Sequence, residues 1–311
     1  MDAARRIRPA ALRPGDRVAV VTPSGPVDAE RLVRGAALLE ELGFRVSLPE
    51  PTVPWRLFAG RDDERRTQLL AAFADPDVRA VWCARGGYGA ARFVPDVDAA
   101  WLRRHAKLCV GFSDATVLLQ LLVQQAGVAA LHGPMVAMDL LAQRDAGTLD
   151  HLLGILGGDA SWTVPVPRIV AGGTAEGPVF GGCLTVLASL AGTSLAPRFA
   201  GGIALLEDVA EKPLRRIDRM LVQLRQARVL DGVRGIVFGT MPDCGPADDL
   251  CEAIADCLGD LGVPIGFGAP VGHGGVHFAV PLGVSARLRL EGPGASVVEG
   301  GVLEGVEPLV A

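Results

Sequence analysis

The sequence predicts an α/β protein of two domains, the first built on a parallel sheet. In the N-terminal half, short runs of β-branched residues alternate with longer helical patterns, which is typical of parallel strands joined by right-handed crossovers. Between residues 156 and 177 the periodicity weakens and Gly, Pro and Thr accumulate, which indicates a linker. The 311 residues also exceed the ~100–200 of a usual domain. We therefore predict domains over residues 1–157 and 178–311, joined by a linker at 158–177.

Each element is predicted from its apolar pattern: a continuous or alternating run for a strand, and a period near 3.6 for a helix. In the first domain the predicted strands are 17–22, 45–48, 80–83 and 108–111, and the predicted helices are 29–42, 63–73, 90–92 and 114–125. Later in the chain we predict strands at 161–166, 203–206 and 235–238, a helix or buried segment at 182–191, helices at 215–226 and 247–258, and two short strands within 276–290.

Composition excludes several classes of protein. The chain has 30 basic and 35 acidic residues, a net charge of −5 and no basic patch, so we expect no nucleic-acid partner. No apolar run reaches the ~18–20 residues that cross a bilayer, so we expect no membrane partner and a cytoplasmic location. The six cysteines form no C-x-x-C pair, which favours reduced, buried thiols. Glycine is the outlier, at 40 of 311 residues, about twice the usual ~7%.

Ser113 has the local sequence of a catalytic nucleophile. Residues 111–115, Gly-Phe-Ser-Asp-Ala, follow an apolar strand and open a helix, which is the context of a nucleophile elbow with small residues two before and two after the serine. The helix N-terminus also offers backbone N–H groups to a developing oxyanion. The alternative is that Ser113 only caps the helix, a common role of serine.

The segment 85–89, Arg-Gly-Gly-Tyr-Gly, also stands between a strand and a helix. Glycines there allow backbone N–H groups to approach a ligand, and Arg85 is able to hold a carboxylate. A dinucleotide-binding fingerprint is disfavoured because Arg92 stands where the third glycine belongs. A purely structural glycine turn is the other alternative.

Acids and histidines of the second half complete a candidate catalytic set. Glu207 and Asp208 end a predicted strand, and His273 lies in a glycine-flanked loop. Ser113, Glu207 and His273 thus supply a nucleophile, an orienting acid and a general base. His132 is a second candidate base, although a hydrogen-bonded loop histidine is the simpler interpretation. His277 follows His273 in a strand-like stretch, and no further ligand completes a metal site, so none is predicted.

The chain resembles the LD-carboxypeptidase family of serine peptidases, the murein-tetrapeptide carboxypeptidases. The resemblance runs nearly end to end and rests on short motifs in a fixed order. These motifs are residues 14–16 and 22–24, 59–65, 85–89, 111–114, 133–135, 181–184, 206–208, 217–221, 272–273 and 281–283.

The resemblance implies a cytoplasmic homodimer with no cofactor. It implies an N-terminal Rossmann- or flavodoxin-like α/β domain that carries the serine, a C-terminal domain of swivelling β/β/α type that carries the acid and base, and a site between them. By residue matching, Ser113 is the nucleophile, Glu207 the acid and His273 the base. The backbone N–H groups of Asp114 and Gly87 are implied to form the oxyanion hole.

The implied activity is release of terminal D-alanine from a murein tetrapeptide by cleavage of an L,D-peptide bond, with Arg85 and Gly86 as substrate-binding residues. Two alternatives stay open: a microcin-immunity-type peptidase that cleaves a peptidyl or aminoacyl nucleotide, and a non-catalytic α/β binding module. Two departures from the family pattern concern the substrate cleft: Cys183 stands where the family commonly has asparagine, and Leu214 where it has an aromatic residue. The choice between lysine and diaminopimelate as the third residue of the peptide also stays open.

Overall fold

A computed structural model of the chain describes residues 6–145, 147–291 and 300–311. It divides into two compact units. Unit 1 comprises residues 1–159, 275–283 and 309–311, and unit 2 comprises residues 160–274 and 284–308. The domain boundaries predicted from the sequence stay a prediction.

Unit 1 is a flavodoxin-like α/β fold. Its strands in the described residues are β1 (Arg17–Val21), β2 (Arg45–Ser47), β3 (Val78–Cys83), β4 (Leu108–Gly111), β5 (Ala130–His132) and β12 (Val280–Leu282). The first five are parallel in the order β2-β1-β3-β4-β5, and β12 pairs with β5 antiparallel. The predicted α/β fold class is therefore confirmed. The strand order reverses direction between β1 and β3, and ligands of such sheets bind beyond the carboxyl ends of the strands at that point.

The central strands are apolar over most of their length because helices cover both faces of the sheet. All four residues of β4 and the last four of β3 are buried. The helices of unit 1 are α1 (Ala29–Glu41), α2 (Asp62–Ala74), α3 (Ala99–Arg104), α4 (Thr116–Gln120), α5 (Leu140–Asp145) and α6 (Leu149–Gly157). A 3₁₀ turn, Ser113–Ala115, precedes α4, and a π-helical segment, Leu121–Ala126, follows it. The predicted helix 114–125 is thus one continuous helical stretch of three types.

The described residues of unit 2 form a second sheet of eight strands. They are β6 (Thr163–Val166), β7 (Arg168–Ala171), β8 (Gly173–Cys183), β9 (Ile203–Glu207), β10 (Gly235–Phe238), β11 (Ile265–Phe267), β13 (Ser285–Leu290) and β14 (Gly301–Gly305). Their order in the sheet is β6-β14-β13-β8-β9-β10-β11-β7. The strands from β8 to β11 are parallel, and those outside them are antiparallel. The helices are α7 (Leu184–Leu190), α8 (Arg215–Gln226) and α9 (Ala247–Leu258).

Three segments differ in detail from the expectation. Residues 158–177, expected as a linker with one strand at 161–166, contain β6, β7 and the start of β8, because antiparallel strands near sheet edges accept the Gly and Pro that weaken the sequence pattern. The segment 182–191 divides between the end of β8 and α7. The two strands within 276–290 belong to different sheets, β12 in unit 1 and β13 in unit 2. No helix in the described ranges is both long and apolar enough to span a membrane.

Candidate active site

Ser113 lies on a sharp turn between β4 and α4. Its backbone φ is +59°, a left-handed value that costs a non-glycine residue free energy and is frequent at functional sites. Phe112, the residue before the serine, occupies the N-cap position of the 3₁₀ turn. A Cβ on Gly111 would lie 3.0 Å from Ala115 Cβ. The small residues on both sides of the serine are therefore a steric requirement of the elbow.

The loop after β3 lies directly against this serine. A Cβ added to Gly86 would be 2.7 Å from both Cβ and Oγ of Ser113 and 3.4 Å from the backbone nitrogen of Asp114. The Asp114 carboxylate accepts a hydrogen bond from the Ala90 N–H at 2.8 Å, which ties the two loops together. The glycine loop therefore lies so close to the serine that a side chain at position 86 would clash with it.

The loop after β1 completes this part of unit 1. The Gly25 N–H donates to the Gly86 carbonyl oxygen at 3.1 Å. Gly87 has φ of +109°, and a Cβ on it would meet Gly25 Cα at 3.3 Å. Arg85 donates from Nη1 to the Pro26 carbonyl oxygen at 2.8 Å, so this side chain also fastens the two loops. The role of Arg85 and Gly86 in substrate binding stays a prediction.

Position 86 has no room for a side chain because a Cβ there would clash with Ser113. We expect Gly86→Ala to lower turnover at least ~100-fold, because a displacement of about 1 Å of a reacting group costs that much. Gly157→Ala is the matched control: it makes the same change in unit 1, where a Cβ meets nothing within 4 Å. Thermal unfolding of both variants separates loss of activity from loss of fold. Wild-type turnover in a folded Gly86→Ala protein would contradict the assignment.

In unit 2, the buried Glu207 pairs with the half-buried His273. Glu207 is the last residue of β9 and is 0% exposed. Its Oε2 lies 2.6 Å from His273 Nδ1, and it also accepts the His273 backbone N–H at 3.3 Å. A carboxylate at this distance holds the proton on Nδ1, which leaves the Nε2 of the neutral ring as the basic nitrogen.

Gly272 permits this close approach. Its φ is +96°, and a Cβ there would lie 2.2 Å from Glu207 Oε2. The His273 side chain is 18% exposed, whereas the acid is covered completely. The strand end thus supplies a rigid acid, and the glycine loop brings the histidine backbone and ring to one of its oxygens.

Asp208, the acid next to Glu207, has a different task. Its Oδ2 accepts hydrogen bonds from the backbone N–H and Oγ1 of Thr185, at 2.8 and 2.7 Å, in the first turn of α7. Burial raises the pKa of the Asp208 carboxyl. Cys183 lies beside it, with Sγ 3.8 Å from Asp208 Oδ1, and burial raises the pKa of that thiol well above its ordinary value. Asp208 therefore caps a helix, and Cys183 is a protonated, unreactive thiol.

His132 and His277 pack against each other in the interior of unit 1. His277 Nε2 lies 3.2 Å from His132 Nδ1, and the Phe112 ring is 4.6 Å from the His277 ring. His132 is hydrogen-bonded, as expected, but it ends β5 and does not lie in a loop. Both rings are at most 1% exposed. Among the described residues, no three His, Cys, Asp or Glu side chains are placed to hold a metal ion.

The predicted residues thus fall into two groups. Unit 1 holds Ser113 with its oxyanion and substrate candidates, and unit 2 holds Glu207 and His273. Sequence reasoning missed Gly25, although its position after β1, at the strand-order reversal, is a signal for it. It also missed the dependence of the acid–histidine contact on Gly272.

Family models decide the family of this protein. The model of the LD-carboxypeptidase N-terminal domain matches residues 18–133, and that of the C-terminal domain matches residues 176–288. The chain belongs to the LD-carboxypeptidase family. A putative carboxypeptidase of Streptomyces coelicolor is 42% identical over 91% of this chain and 93% of its own length. A probable murein peptide carboxypeptidase of Bacillus subtilis is 33% identical over 96% of both chains.

Solved structures agree with this membership of the LD-carboxypeptidases. A muramoyltetrapeptide carboxypeptidase from Oxalobacter formigenes superposes with a TM-score of 0.82 at 30% identity, covering 94% of this chain and 99% of that one. An MccF-like protein from Bacillus anthracis superposes with a TM-score of 0.84 at 25% identity, covering 96% and 99%. The fold and the serine-peptidase chemistry of the family therefore apply to this LD-carboxypeptidase.

Proposed function

We propose that this LD-carboxypeptidase releases terminal D-alanine from murein tetrapeptides by a serine mechanism. The observation that carries the proposal is the contact of the buried Glu207 with His273, 2.6 Å between Oε2 and Nδ1, in a chain whose elbow serine has a strained, left-handed backbone. The substrate is taken from relatives: the Bacillus subtilis and Oxalobacter formigenes proteins bear murein-peptide activities in their names.

In the proposed mechanism, Ser113, Glu207 and His273 form one triad. Ser113 Oγ attacks the scissile carbonyl carbon while His273 Nε2 takes the hydroxyl proton. The backbone N–H groups of Gly87 and Asp114 hold the oxyanion. His273 then gives its proton to the departing amine of D-alanine, and a water molecule, deprotonated by the same base, hydrolyses the acyl-enzyme. Glu207 stabilises the imidazolium in both halves of the reaction.

The second candidate function keeps this chemistry and changes the substrate. Its support is the likeness to the MccF-like protein, whose TM-score of 0.84 is at the level of the carboxypeptidase neighbour. In this version the chain cleaves an aminoacyl or peptidyl nucleotide. The identity is lower than to the murein enzyme, 25% against 30%, which is why the muropeptide comes first.

One assay tests both candidates. The enzyme is incubated with a murein tetrapeptide and, separately, with an aminoacyl sulfamoyl adenosine, and the products are identified by mass. We expect the tetrapeptide to lose one D-alanine and the nucleotide compound to stay intact. Cleavage of the nucleotide compound without D-alanine release would replace the first candidate by the second. Hydrolysis of neither would refute both. Use of lysine and diaminopimelate peptides in parallel identifies the preferred third residue.

We also propose that the enzyme acts as a cytoplasmic homodimer without a nucleic-acid partner. The support for this assembly and location is the family resemblance, and the acidic net charge of −5 argues against nucleic acid. Light scattering behind a sizing column tests the assembly, because a dimer has twice the 32.3 kDa of the chain. A mass of one chain across the concentrations used in the assay would contradict it.

A further inference from the structure

A tight turn next to the glycine loop presents an unusual combination of side chains. Trp55 and Phe58 form an antiparallel bridge, each backbone N–H donating to the other's carbonyl oxygen at 3.1 Å. Arg56, at the tip, is exposed and has φ of +58°. Arg61 is exposed at the start of α2. We call Trp55, Arg56, Arg61 and Tyr88 the arginine–aromatic surface.

Two guanidinium groups of this surface stand over one indole ring. The Cζ atoms of Arg56 and Arg61 lie 4.8 and 5.5 Å from the centre of the Trp55 ring. Neither side chain pairs with a carboxylate within the described part of the chain. Arg56 and Arg61 therefore place two positive charges beside an aromatic ring, without a carboxylate partner among the described residues.

A third arginine nearby shows the contrast. Arg92 lies 5.8 Å from the Trp55 ring, but it donates to both carboxylate oxygens of Asp62, at 3.0 and 2.7 Å. That contact lowers the pKa of Asp62. Asp62 also pairs with Arg65, which is buried against the Phe58 ring. The Asp62 carboxylate therefore already pairs with Arg65 and Arg92.

The other two acids in the first turn of α2, Asp63 and Glu64, have different surroundings. Glu64 accepts the backbone N–H of Arg61 at 2.7 Å. Glu64 and Asp63 both line a separate cavity together with Val20 and Leu48. Neither carboxylate makes an ion pair with Arg56 or Arg61 in the described ranges.

The arginine–aromatic surface is continuous with the loop at Ser113. The rings of Trp55 and Phe58, and those of Phe58 and Tyr88, are each 5.7 Å apart. Tyr88 is 54% exposed. It lies two residues after Gly86, where a Cβ would clash with Ser113. Each of these two ring contacts is longer than the ~3.6 Å that one extended residue spans. The surface therefore suits the acyl portion of a tetrapeptide better than a single D-alanine.

We propose that the arginine–aromatic surface binds an anionic group on the acyl side of the substrate. Arg56 and Arg61 hold a carboxylate, and Trp55 and Tyr88 support the carbon skeleton beside it. Guanidinium groups suit this task because their planar N–H groups match a carboxylate. This inference rests on the proposed function, since the anion is placed by reference to the scissile bond.

The kinetic test uses two tetrapeptides ending in D-alanine that differ at one position upstream of the scissile bond, a free carboxylate in one and a primary amide in the other. For Arg56→Gln/Arg61→Gln we expect KM for the acidic peptide to rise about 10-fold with kcat within about twofold, and no change for the amide peptide. Arg66→Gln, which changes another exposed arginine of α2, is the matched control and should behave as wild type. Equal effects on the two peptides, or none, would overturn the proposal.

A binding experiment keeps this test independent of turnover. The Ser113→Ala protein is titrated calorimetrically with the acidic peptide, the amide peptide and adenosine monophosphate, with and without the two arginine substitutions. Tighter binding of the acidic peptide that requires Arg56 and Arg61 supports the proposal even if the wild-type enzyme releases no D-alanine, in which case only the proposed function fails. Arginine-dependent binding of adenosine monophosphate alone would assign the surface to a nucleotide and refute the proposal.

Discussion

Ser113→Ala is expected to reduce D-alanine release by about 10⁴- to 10⁶-fold, the loss seen when a triad nucleophile is removed. The remaining groups of the site still bind substrate but have no atom to acylate. Steady-state kinetics with the tetrapeptide measure the effect. Binding of the peptide to the variant should stay within about threefold of the wild-type KM, because the hydroxyl acts on the transition state.

The control for this variant is Ser189→Ala. Ser189 is exposed in α7, and its Oγ donates only to the Val186 carbonyl oxygen at 2.7 Å among the described contacts. We expect turnover within about twofold of wild type, since surface substitutions of this kind are nearly neutral. Ser113→Ala activity above a hundredth of wild type in protein freed of contaminating peptidases would remove Ser113 from the proposed triad.

Glu207→Gln is expected to lower kcat by about 10⁴-fold while KM changes little. Glutamine has the same shape, but its neutral amide no longer stabilises an imidazolium. Its NH₂ group also favours the tautomer with the proton on Nε2 of His273, which is the wrong one for a base. Because Glu207 is 0% exposed, bulk solvent does not reach the position to replace the lost carboxylate. The comparison is made at a pH where the wild-type rate is on its plateau.

Asp208→Asn is the matched control, an acid-to-amide change at the neighbouring buried position. Asp208 caps α7 through Thr185, so we expect a fall of about 1 kcal/mol in the free energy of unfolding and turnover within about tenfold of wild type. Equal losses of turnover in Glu207→Gln and Asp208→Asn, at equal stability, would show that Glu207 has no special relation to the catalytic base.

Much of unit 1 could be predicted from local sequence because its strands and helices have clear periods. Strands 17–22, 45–48, 80–83 and 108–111 all lie within two residues of observed strands. Residues 158–177 were harder, since Gly and Pro hide the alternation of β6 and of the start of β8, and β7 has no alternation of burial. The return of residues 275–283 to unit 1 depends on pairing between β12 and β5, distant in sequence, and no local pattern encodes it.

The site shows the same division between local and distant information. The elbow at Ser113 and the glycines after β3 could be predicted because strand, turn and helix are contiguous. The contact of Glu207 with His273 joins positions 66 residues apart. The residue types suggested them as acid and base, and the family resemblance implied their roles, but no local pattern encodes their contact. The arginine–aromatic surface was not predicted, because the contacts of Arg61 with Trp55 and of Tyr88 with Phe58 exist only in the folded chain.

The most direct test of the central claim, a Ser113 activated by His273 and Glu207, is covalent labelling with a fluorophosphonate. The modified residue is located by peptide mass spectrometry, and D-alanine release is followed in the same sample. We predict one phosphonyl group on Ser113, parallel loss of activity, and labelling at least ~10³-fold slower in His273→Ala. Inactivation with the label on another residue, or labelling of Ser113 at an undiminished rate in His273→Ala, would contradict it.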